Sequence, residues 1–552
     1  MSTDDKSTNQ KVSPGEEQDS KYSFAIVGVG ASAGGLEAFT QLLAALPINT
    51  GMAFVLVQHL DPTHESNLRD ILSRATRMPV TDASQDLEVQ ADHIYIIRPN
   101  TSLTISRGVL QVTARDHGRG LHLPIDHFLR SLAADRRTGA IGVILSGTGT
   151  DGTLGVEEIK AVGGITFAQD EHSAKYAGMP QSAIRSGCID LVLSPDEIAV
   201  ELARIAQHPY VLPSEPEKHA PPSVSEEHTP PLDDDHFARI LALLRASSGV
   251  DFGGYRDATI KRRISRRMVL HNQESLAGYA EYLKRHRQEL HALYDDILIN
   301  VTSFFREPES FEALKEKVFP AILQGKDANK AVRIWAPGCS TGQEAYSLAI
   351  ALLEFLDDKA LNPGIQIFAS DLRDSSSLQR AREGIYPENI EAEVSAERLR
   401  RFFTKEGSKY RVNKTLRDSC IFAKQNVATD PPFSRLDLIS CRNLLIYLTP
   451  AMQKRIIPTF HYTLNTTGFL MLGASETIGG FTDFFEVVDQ KHRIYSKKAS
   501  TARQYPHFNA THYMTGSERV SMQTPATTAV DWQHEADRVA MGQYAPPRRA
   551  RQ

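Results

Sequence analysis

Ser32, His59 and Asp151 are the residue types of an acyl-transfer site: a hydroxyl nucleophile, an imidazole base and a carboxylate to hold the base. A serine hydroxyl is a weak nucleophile unless a base takes its proton, so position decides whether these three matter. Ser32 lies in "FAIVGVGASAGGLEAF", where the apolar run Phe24 to Val27 reads as a buried strand. A glycine-rich turn follows, and then Leu36, Phe39, Leu43 and Leu46 recur at helical spacing. His59 comes directly after the apolar run "MAFVLVQ", and Asp151 sits in "ILSGTGTDGTLG" after another. In a parallel sheet the strand C-termini gather on one edge, so the three side chains can converge. Backbone N–H groups beside Ser32, at a helix N-terminus, would be open to a developing oxyanion. His64, His93, His122, His127 and His172 share the region; placement at a strand end favours His59.

The same turn has a second reading. Gly28, Gly30 and Ala33 fit the G-x-G-x-x-G/A dinucleotide fingerprint. That site also wants an acid about 20 residues on, for the ribose hydroxyl. Here the second strand ends in Gln58-His59 instead. An NAD-type site therefore lacks its second requirement. A third reading is a tight strand–helix turn with an incidental serine.

A second glycine loop, "VRIWAPGCSTGQEAYSLAI", carries Gly338 and Gly342 after a strand. The next strand, "IQIFASD", does end in an acid, Asp371, which can accept both ribose hydroxyls of an adenosine group. The loop has no Walker lysine, which argues against a triphosphate. S-adenosylmethionine fits better, its sulfonium favouring nearby acids such as Glu344.

These sites need elements to hold them, and 552 residues are too many for one core. The chain is 41% hydrophobic with net charge −5, so its balance gives no argument for nucleic acid or an anionic membrane. No apolar run approaches the roughly 20 residues of a membrane-spanning helix, and the polar N-terminus lacks a signal peptide's apolar segment. Cys188, Cys339, Cys420 and Cys441 are scattered, as free thiols in a reducing cytoplasm would be. Residues 1–21 read as a disordered tail. Residues 22–206 alternate apolar runs with helical patterns, including a hairpin turning at Arg107-Gly108. Residues 207–234 form a proline-rich acidic linker, and residues 235–328 are helical throughout. Alternation returns over residues 329–498, and residues 499–552 read as mostly disordered. The expected fold class is α/β: two doubly wound Rossmann-like domains, the second preceded by a small all-helical subdomain. In the helical stretch, "RDATIKRRISRRM" packs Lys261, Arg262, Arg263, Arg266 and Arg267 close together. On a helix this is either a solvated basic face or a surface for an acidic partner; overall acidity and the lack of aromatic platforms weigh against nucleic acid.

"VGVGASAGGLEAF", "VQHLDPTHES", "GVILSGTGTDGTLG" and "YAGMPQSAI" resemble the catalytic domain of CheB-type chemotaxis receptor methylesterases. The resemblance implies a triad of Ser32 as nucleophile, His59 as general base and Asp151 as orienter. It also implies hydrolysis of glutamate methyl esters on receptor helices, and often glutamine deamidation there. Leu60-Asp61-Pro62 stands where the family usually has Met-Pro, and Thr148 replaces a common methionine. A receiver domain often precedes this domain; none is expected here.

"NVTSFFRE", "GCSTGQEAYS", "FASD", "QNV" and "DLISCRNLLIYL" resemble, in order, the CheR-type receptor methyltransferases, over residues 235 to about 498. This resemblance implies a cofactor and methyl site with Asn300, Thr302 and Arg306. It places Glu344 and Asp371 on amino-acid and ribose groups and Asn426 and Val427 near the adenine. Arg442 and Asn443 follow, with Tyr447 lining the transfer site. The implied partner is a methyl-accepting receptor with an acidic helical cytoplasmic region, which the basic helix would dock. The loop between Phe403 and Arg411 is short, so no tether for a receptor's C-terminal peptide is expected. "HEADRVAMGQYAPP" resembles the lead into a sensory region of longer fusions, which this chain would lack. The resulting expectation is a cytoplasmic bifunctional enzyme; the alternative is a signalling scaffold with idle sites.

Overall fold

The computed structural model describes residues 24–59, 67–115, 123–211, 234–298, 302–324, 330–359, 363–373 and 376–499. Leu60, Asp61, Pro62, His64, His122, Asn300 and both tails lie outside them, as do residues 212–233 of the expected 207–234 linker. The start of that stretch is instead packed, with Val211 fully buried in the core, and Asp234 already opens a helix. Contacts divide the chain into two units: residues up to Val250 with Ile260–Ile299, and Asp251–Thr259 with the rest from Asn300.

The first unit starts with β1 (Ile26–Ala31), α1 (Gly35–Ala45), β2 (Ala53–Gln58), α2 (Leu68–Ala75), β3 (Val80–Asp82), β4 (Leu87–Glu88) and β5 (Ile94–Ile96). It continues through β6 (Thr101–Ser106), β7 (Val109–Ala114), α3 (Pro124–Arg136), β8 (Ala140–Ile144), α4 (Thr153–Ala161), β9 (Ile165–Gln169), α5 (Gly178–Ser186), β10 (Leu191–Leu193) and α6 (Pro195–Ala206). Seven strands form one sheet in the order β10-β9-β8-β1-β2-β5-β3, with every pairing parallel. The chain runs outward from β1 to β2 on one side and to β8 on the other, the doubly wound pattern expected. Its switch point therefore lies at the C-terminal ends of β1 and β8. The expected hairpin is β6–β7, with Arg107 and Gly108 both at positive φ, and β4 completes a small antiparallel sheet. The short β3 and β4, with no strongly apolar run, gave no strand signal.

Helices cover both faces because β1 alternates its side chains. Val27 and Val29 pack with Phe39, Leu42, Leu202 and Ile205 of α1 and α6. Ile26 faces Ile125, Phe128, Leu129 and Leu132 of α3. Gly28 and Gly30 stand under α3. A Cβ on Gly28 would lie 2.5 Å from a Leu129 methyl, and one on Gly30 would strike Ile125. The glycines of the would-be dinucleotide fingerprint thus let a helix approach a strand. Gly30→Ala should cost about 1–3 kcal/mol by overpacking. A thermal unfolding midpoint unchanged from the parent would show that α3 yields without strain.

Four more helices follow: α7 (Asp234–Ser248), α8 (Asp257–Leu270), α9 (Leu276–Arg285) and α10 (Arg287–Ile297). No strand occurs among the described residues of 234–324, as the sequence predicts. The reading of the basic run on α8 needs correction. Arg263, Arg266 and Arg267 are buried, and of the five cations only Lys261 and Arg262 are partly exposed. Arg266 donates to Asp190 before β10, to Asp296 of α10 and, at 2.9 Å, to the Gly164 carbonyl. Arg263 donates to the carbonyls of Lys160 and Ala161 at the end of α4. Arg267 pairs with Glu289, which also accepts from Tyr279 at 2.7 Å. Burial raises the Asp190 carboxyl, but Arg266 and Lys160 outweigh it and hold it well below the usual range. This face is bound within its own unit and is not open for a receptor.

The second unit holds α11 (Pro308–Ala313), α12 (Phe319–Leu323), β11 (Val332–Pro337), α13 (Gln343–Asp358), β12 (Ile365–Asp371), α14 (Ser376–Glu383), β13 (Ile385–Pro387), α15 (Ala396–Phe402), β14 (Phe403–Glu406) and β15 (Lys409–Val412). Then come α16 (Lys414–Ser419), β16 (Cys420–Lys424), β17 (Leu436–Cys441), α17 (Pro450–Thr463), β18 (Leu464–Leu472), β19 (Phe485–Asp489) and β20 (Ile494–Lys497). The sheet order is β16-β12-β11-β17-β18-β20-β19, parallel up to β18 and antiparallel at the β18-β20-β19 edge. Again the winding reverses, here between β11 and β17. Trp335 of β11 is fully buried between Phe433 and Phe460, and its indole N–H donates to Ser370 at 2.9 Å. β13, β15 and β14 form a separate three-stranded antiparallel sheet.

Candidate functional sites

At the first switch point the three expected side chains meet. Ser32 Oγ lies 3.4 Å from His59 Nδ1, and His59 Nε2 lies 2.7 Å from Asp151 Oδ2. A carboxylate only accepts, so Nε2 carries the proton and Nδ1 is left to accept from Ser32. The His59 N–H reaches the Ala31 carbonyl, which carries the β1–β2 pairing one residue past the strands and sets the ring beside the serine turn. The His59 side chain is 34% exposed and that of Asp151 only 2%.

A buried carboxylate must be satisfied. Asp151 accepts from the N–H groups of Ile125 (3.0 Å), Asp126 (2.9 Å) and Gly152 (2.9 Å). The first two belong to the opening turn of α3, where the helix dipole also favours an anion. The chain of causes runs from Gly28 and Gly30, through the close seat of α3, to the anchoring of Asp151. Asp126 is a second buried carboxyl, accepting from the Gly155 N–H at 2.7 Å. Burial, and then the nearby Asp151, push it well above the usual range. Ser146 ties the nucleophile turn down: its Oγ donates to the Ala33 carbonyl at 2.9 Å and accepts from the Tyr176 N–H at 3.0 Å. Sequence reasoning missed Asp126 and Ser146; their work is done through backbone groups, which leave no pattern of side-chain types.

In the second unit Asp371 ends β12, beside the turn after β11. Its carboxylate accepts from the Ser340 N–H at 2.8 Å and the Arg373 N–H at 3.1 Å. Gly338 and Gly342 bend that turn through positive φ, and a Cβ on Gly342 would crowd Ala381 and Phe422. Gln425 N–H donates to the Asp371 carbonyl at 2.9 Å, which brings the neighbouring Asn426 to the same strand edge. Asn426 closes its own loop by accepting from Ala428 and Asp430 N–H groups. Val427 packs partly buried on the core.

Glu344, at the start of α13, accepts from Ser440 Oγ at 2.7 Å and from Arg442 at 3.0 Å. Arg442 also donates to the Arg306 carbonyl at 2.6 Å and to Glu307 at 2.9 Å. Glu344 is therefore paired, not a lone anion awaiting a sulfonium. Thr302 and Arg306 lie on the segment leading into α11, and Asn300 falls outside the described residues. Asn443 sits at positive φ, and its N–H donates to Glu476. Tyr447 lies in the short turn after it. Sequence reasoning missed Glu307, Ser440 and Glu476; the acid in "GASE", after an apolar strand, was the available signal for the last. The donor set suits an adenosyl amino acid: a strand-end carboxylate with spare acceptor capacity, positive-φ glycines, and paired acid and base nearby.

Residues 27–202 match the CheB methylesterase family. Residues 235–298 match the all-alpha domain, and residues 300–494 the SAM binding domain, of the CheR methyltransferases. A chemotaxis protein methyltransferase of Borreliella burgdorferi is 30% identical over 256 residues, which are 45% of this chain and 89% of that protein. The chain is a CheB–CheR fusion. It belongs to the chemotaxis methyltransferase family and carries a CheB methylesterase domain ahead of it. Chemotaxis protein methyltransferase 1 of Pseudomonas aeruginosa is also 30% identical, covering 46% of this chain and 93% of that protein. An uncharacterized 104.1 kDa protein of Rhodobacter capsulatus is 37% identical over 442 residues, spanning both domains. Those residues are 78% of this chain and 46% of the longer relative, so the chain spans about half of that protein. Among solved structures, the Thermotoga maritima CheB methylesterase catalytic domain is 30% identical, covering 33% of this chain and 99% of that one, with a TM-score of 0.31. S-adenosylmethionine is the cofactor of the CheR domain. Most of the matched all-alpha segment, Asp235–Val250 and Ile260–Leu298, clusters with the CheB unit. No helix among the described residues is long and apolar enough to cross a membrane.

Proposed function

We propose that the chain methylates glutamate side chains on methyl-accepting chemotaxis-type receptors and hydrolyses the resulting methyl esters, from the cytoplasm. The observation that carries the reading is the Ser32–His59–Asp151 relay, with its carboxylate anchored by three N–H groups. Ser32 Oγ attacks the ester carbonyl carbon while His59 Nδ1 takes its proton. N–H groups at the start of α1 face the oxygen on which negative charge grows. His59 then returns the proton to the leaving methoxide, and methanol departs. Water, deprotonated by the same nitrogen, cleaves the acyl-serine and frees the glutamate. Asp151 holds the ring and stabilises its cationic form. The same relay can take a glutamine amide, releasing ammonia.

In the CheR domain Asp371 would hold the ribose hydroxyls and Asn426 and Val427 the adenine. Glu344, with Arg442, would hold the amino-acid end, and Thr302, Arg306, Asn443 and Tyr447 would frame the transfer site together with Asn300. S-adenosylmethionine supplies an electrophilic methyl group there. A glutamate carboxylate is already anionic at neutral pH, so the protein's own task is alignment and exclusion of water. Asp371→Ala should remove hydrogen bonds to a charged acceptor, roughly 1.5–3 kcal/mol each, and weaken cofactor binding at least tenfold. Titration calorimetry giving an unchanged affinity would exclude the ribose role. The whole reading is tested by incubating purified chain, labelled S-adenosylmethionine and receptor-bearing membranes: label should enter receptor glutamates and leave as methanol.

A further inference from the structure

Glu476 belongs to none of the roles above, yet it is 3% exposed and accepts from five backbone N–H groups. It follows β18 in "GASE". Oε1 accepts from the N–H groups of Leu444 (2.9 Å), Leu445 (2.7 Å) and Ile446 (3.3 Å). Oε2 accepts from Asn443 (2.9 Å) and Gly473 (2.7 Å). Four of these donors are consecutive, in the turn that joins Arg442 to Tyr447. Successive N–H groups aimed at one point make an anion nest, and here a side chain of the protein fills it. Burial pushes the Glu476 carboxyl above the usual range, and the donors of Gly473, Asn443, Leu445 and Ile446 offset only part of that rise. Only the ionised form offers acceptors to all five. Gly473 is part of the device, because a Cβ there would lie 2.9 Å from Oε2 and 3.1 Å from the Asn443 nitrogen.

Leu445 adds a core contact, and its carbonyl accepts from Gln453 at 2.8 Å, but the N–H side of the turn is held by Glu476. Asn443 is at a φ of 57°, a left-handed conformation that asparagine tolerates better than most residues. Just before it, Arg442 spans Glu344, Glu307 and the Arg306 carbonyl. A shift of the turn would move that guanidinium off all three. We propose that Glu476 is a positioning residue for methyl transfer: it fixes the Asn443–Ile446 turn and so sets Arg442 and Tyr447 against the reacting groups. This rests on the methyltransferase reading, and its test must be able to fail separately.

The full chain carrying Glu476→Gln presents an amide N–H₂ to donors that need an acceptor; Glu476→Asp keeps the charge but falls short by one methylene. Hydrogen exchange should show amides 443–446 losing at least tenfold protection in Glu476→Gln and less in Glu476→Asp, while β11 and β12 stay protected. The methyl-transfer kcat should fall tenfold or more in Glu476→Gln and recover partly in Glu476→Asp, with the calorimetric Kd for S-adenosylmethionine within threefold of the parent. Unchanged protection at 443–446 would overturn the proposal. So would protection lost equally in β11 and β12, which would make Glu476 a residue of the general fold. Should the parent chain transfer no methyl group, the functional reading fails, while the exchange data still judge the anchoring of the turn.

Discussion

Ser32→Ala should abolish ester hydrolysis while leaving methyl transfer at the parent rate. Triad members act as a unit, and loss of the nucleophile typically costs on the order of 10⁴-fold or more. The structure makes the expectation specific. Ser32 is followed by α1, its hydroxyl faces the unprotonated nitrogen of His59, and Asp151 is anchored independently through α3. Removing the hydroxyl disturbs neither anchor, so the fold should survive. Ser32 takes no part in the Asp371–Glu344–Arg442 constellation, so methylated receptor should accumulate. His59→Ala should behave alike, and the double variant should be little worse than either. Methanol release from methylated receptor at an undiminished rate in Ser32→Ala would assign the nucleophile elsewhere.

Arg266→Ala should strongly destabilise the CheB unit. It removes one of the two cations that hold Asp190, leaving Lys160 at 3.1 Å, and weakens the hold on Asp296; both carboxylates are nearly inaccessible to water. Breaking a buried ion pair by removing one side costs about 3–5 kcal/mol where the other charge is left uncompensated; here Lys160 stays beside Asp190, so the loss should fall toward the lower end of that range. Urea unfolding followed through esterase activity should show the midpoint falling by the equivalent amount. Arg266→Ala combined with Asp190→Asn should lose less than the sum of the single changes. A midpoint within about 0.5 kcal/mol of the parent, as for an ordinary surface site, would mean that water reaches these groups. The pH dependence has a definite sign. Asp190 is held well below its unfolded value, so its contribution is complete at neutral pH. It should persist below pH 4 or so and fade only as acid protonates Asp190 in the folded state.

Why some of this was legible in the residues, and some not, has a physical explanation. Ser32, His59, Asp151 and Asp371 could be placed because strand ends are visible as the ends of apolar runs, and a parallel sheet collects them. The Arg107-Gly108 turn was visible because both positions need positive φ. Gly28 and Gly30 were read as possible makers of space for a pyrophosphate. They do make space, but for Ile125 and Leu129; a missing Cβ does not say what fills the gap. The arginines of α8 were misread because a cation is normally outside. What buries Arg266 lies 76 residues before it, at Asp190, and 30 after it, at Asp296. Glu476 was hidden for a similar reason, since its partners are backbone N–H groups that every residue in the turn possesses.

The buried arginines also bear on how freely these modules can be recombined. The proline-rich stretch of sequence after Val211 invites separation into an esterase half and a transferase half. A cut there would leave the first half with Asp190 and the carbonyls of Lys160, Ala161 and Gly164 facing solvent in place of guanidinium groups. The other half would keep Arg263 with none of the carbonyl acceptors it has here. In this chain the esterase and helices α8 and α10 are electrostatically interlocked, so a division at the proline-rich stretch does not fall between independent parts.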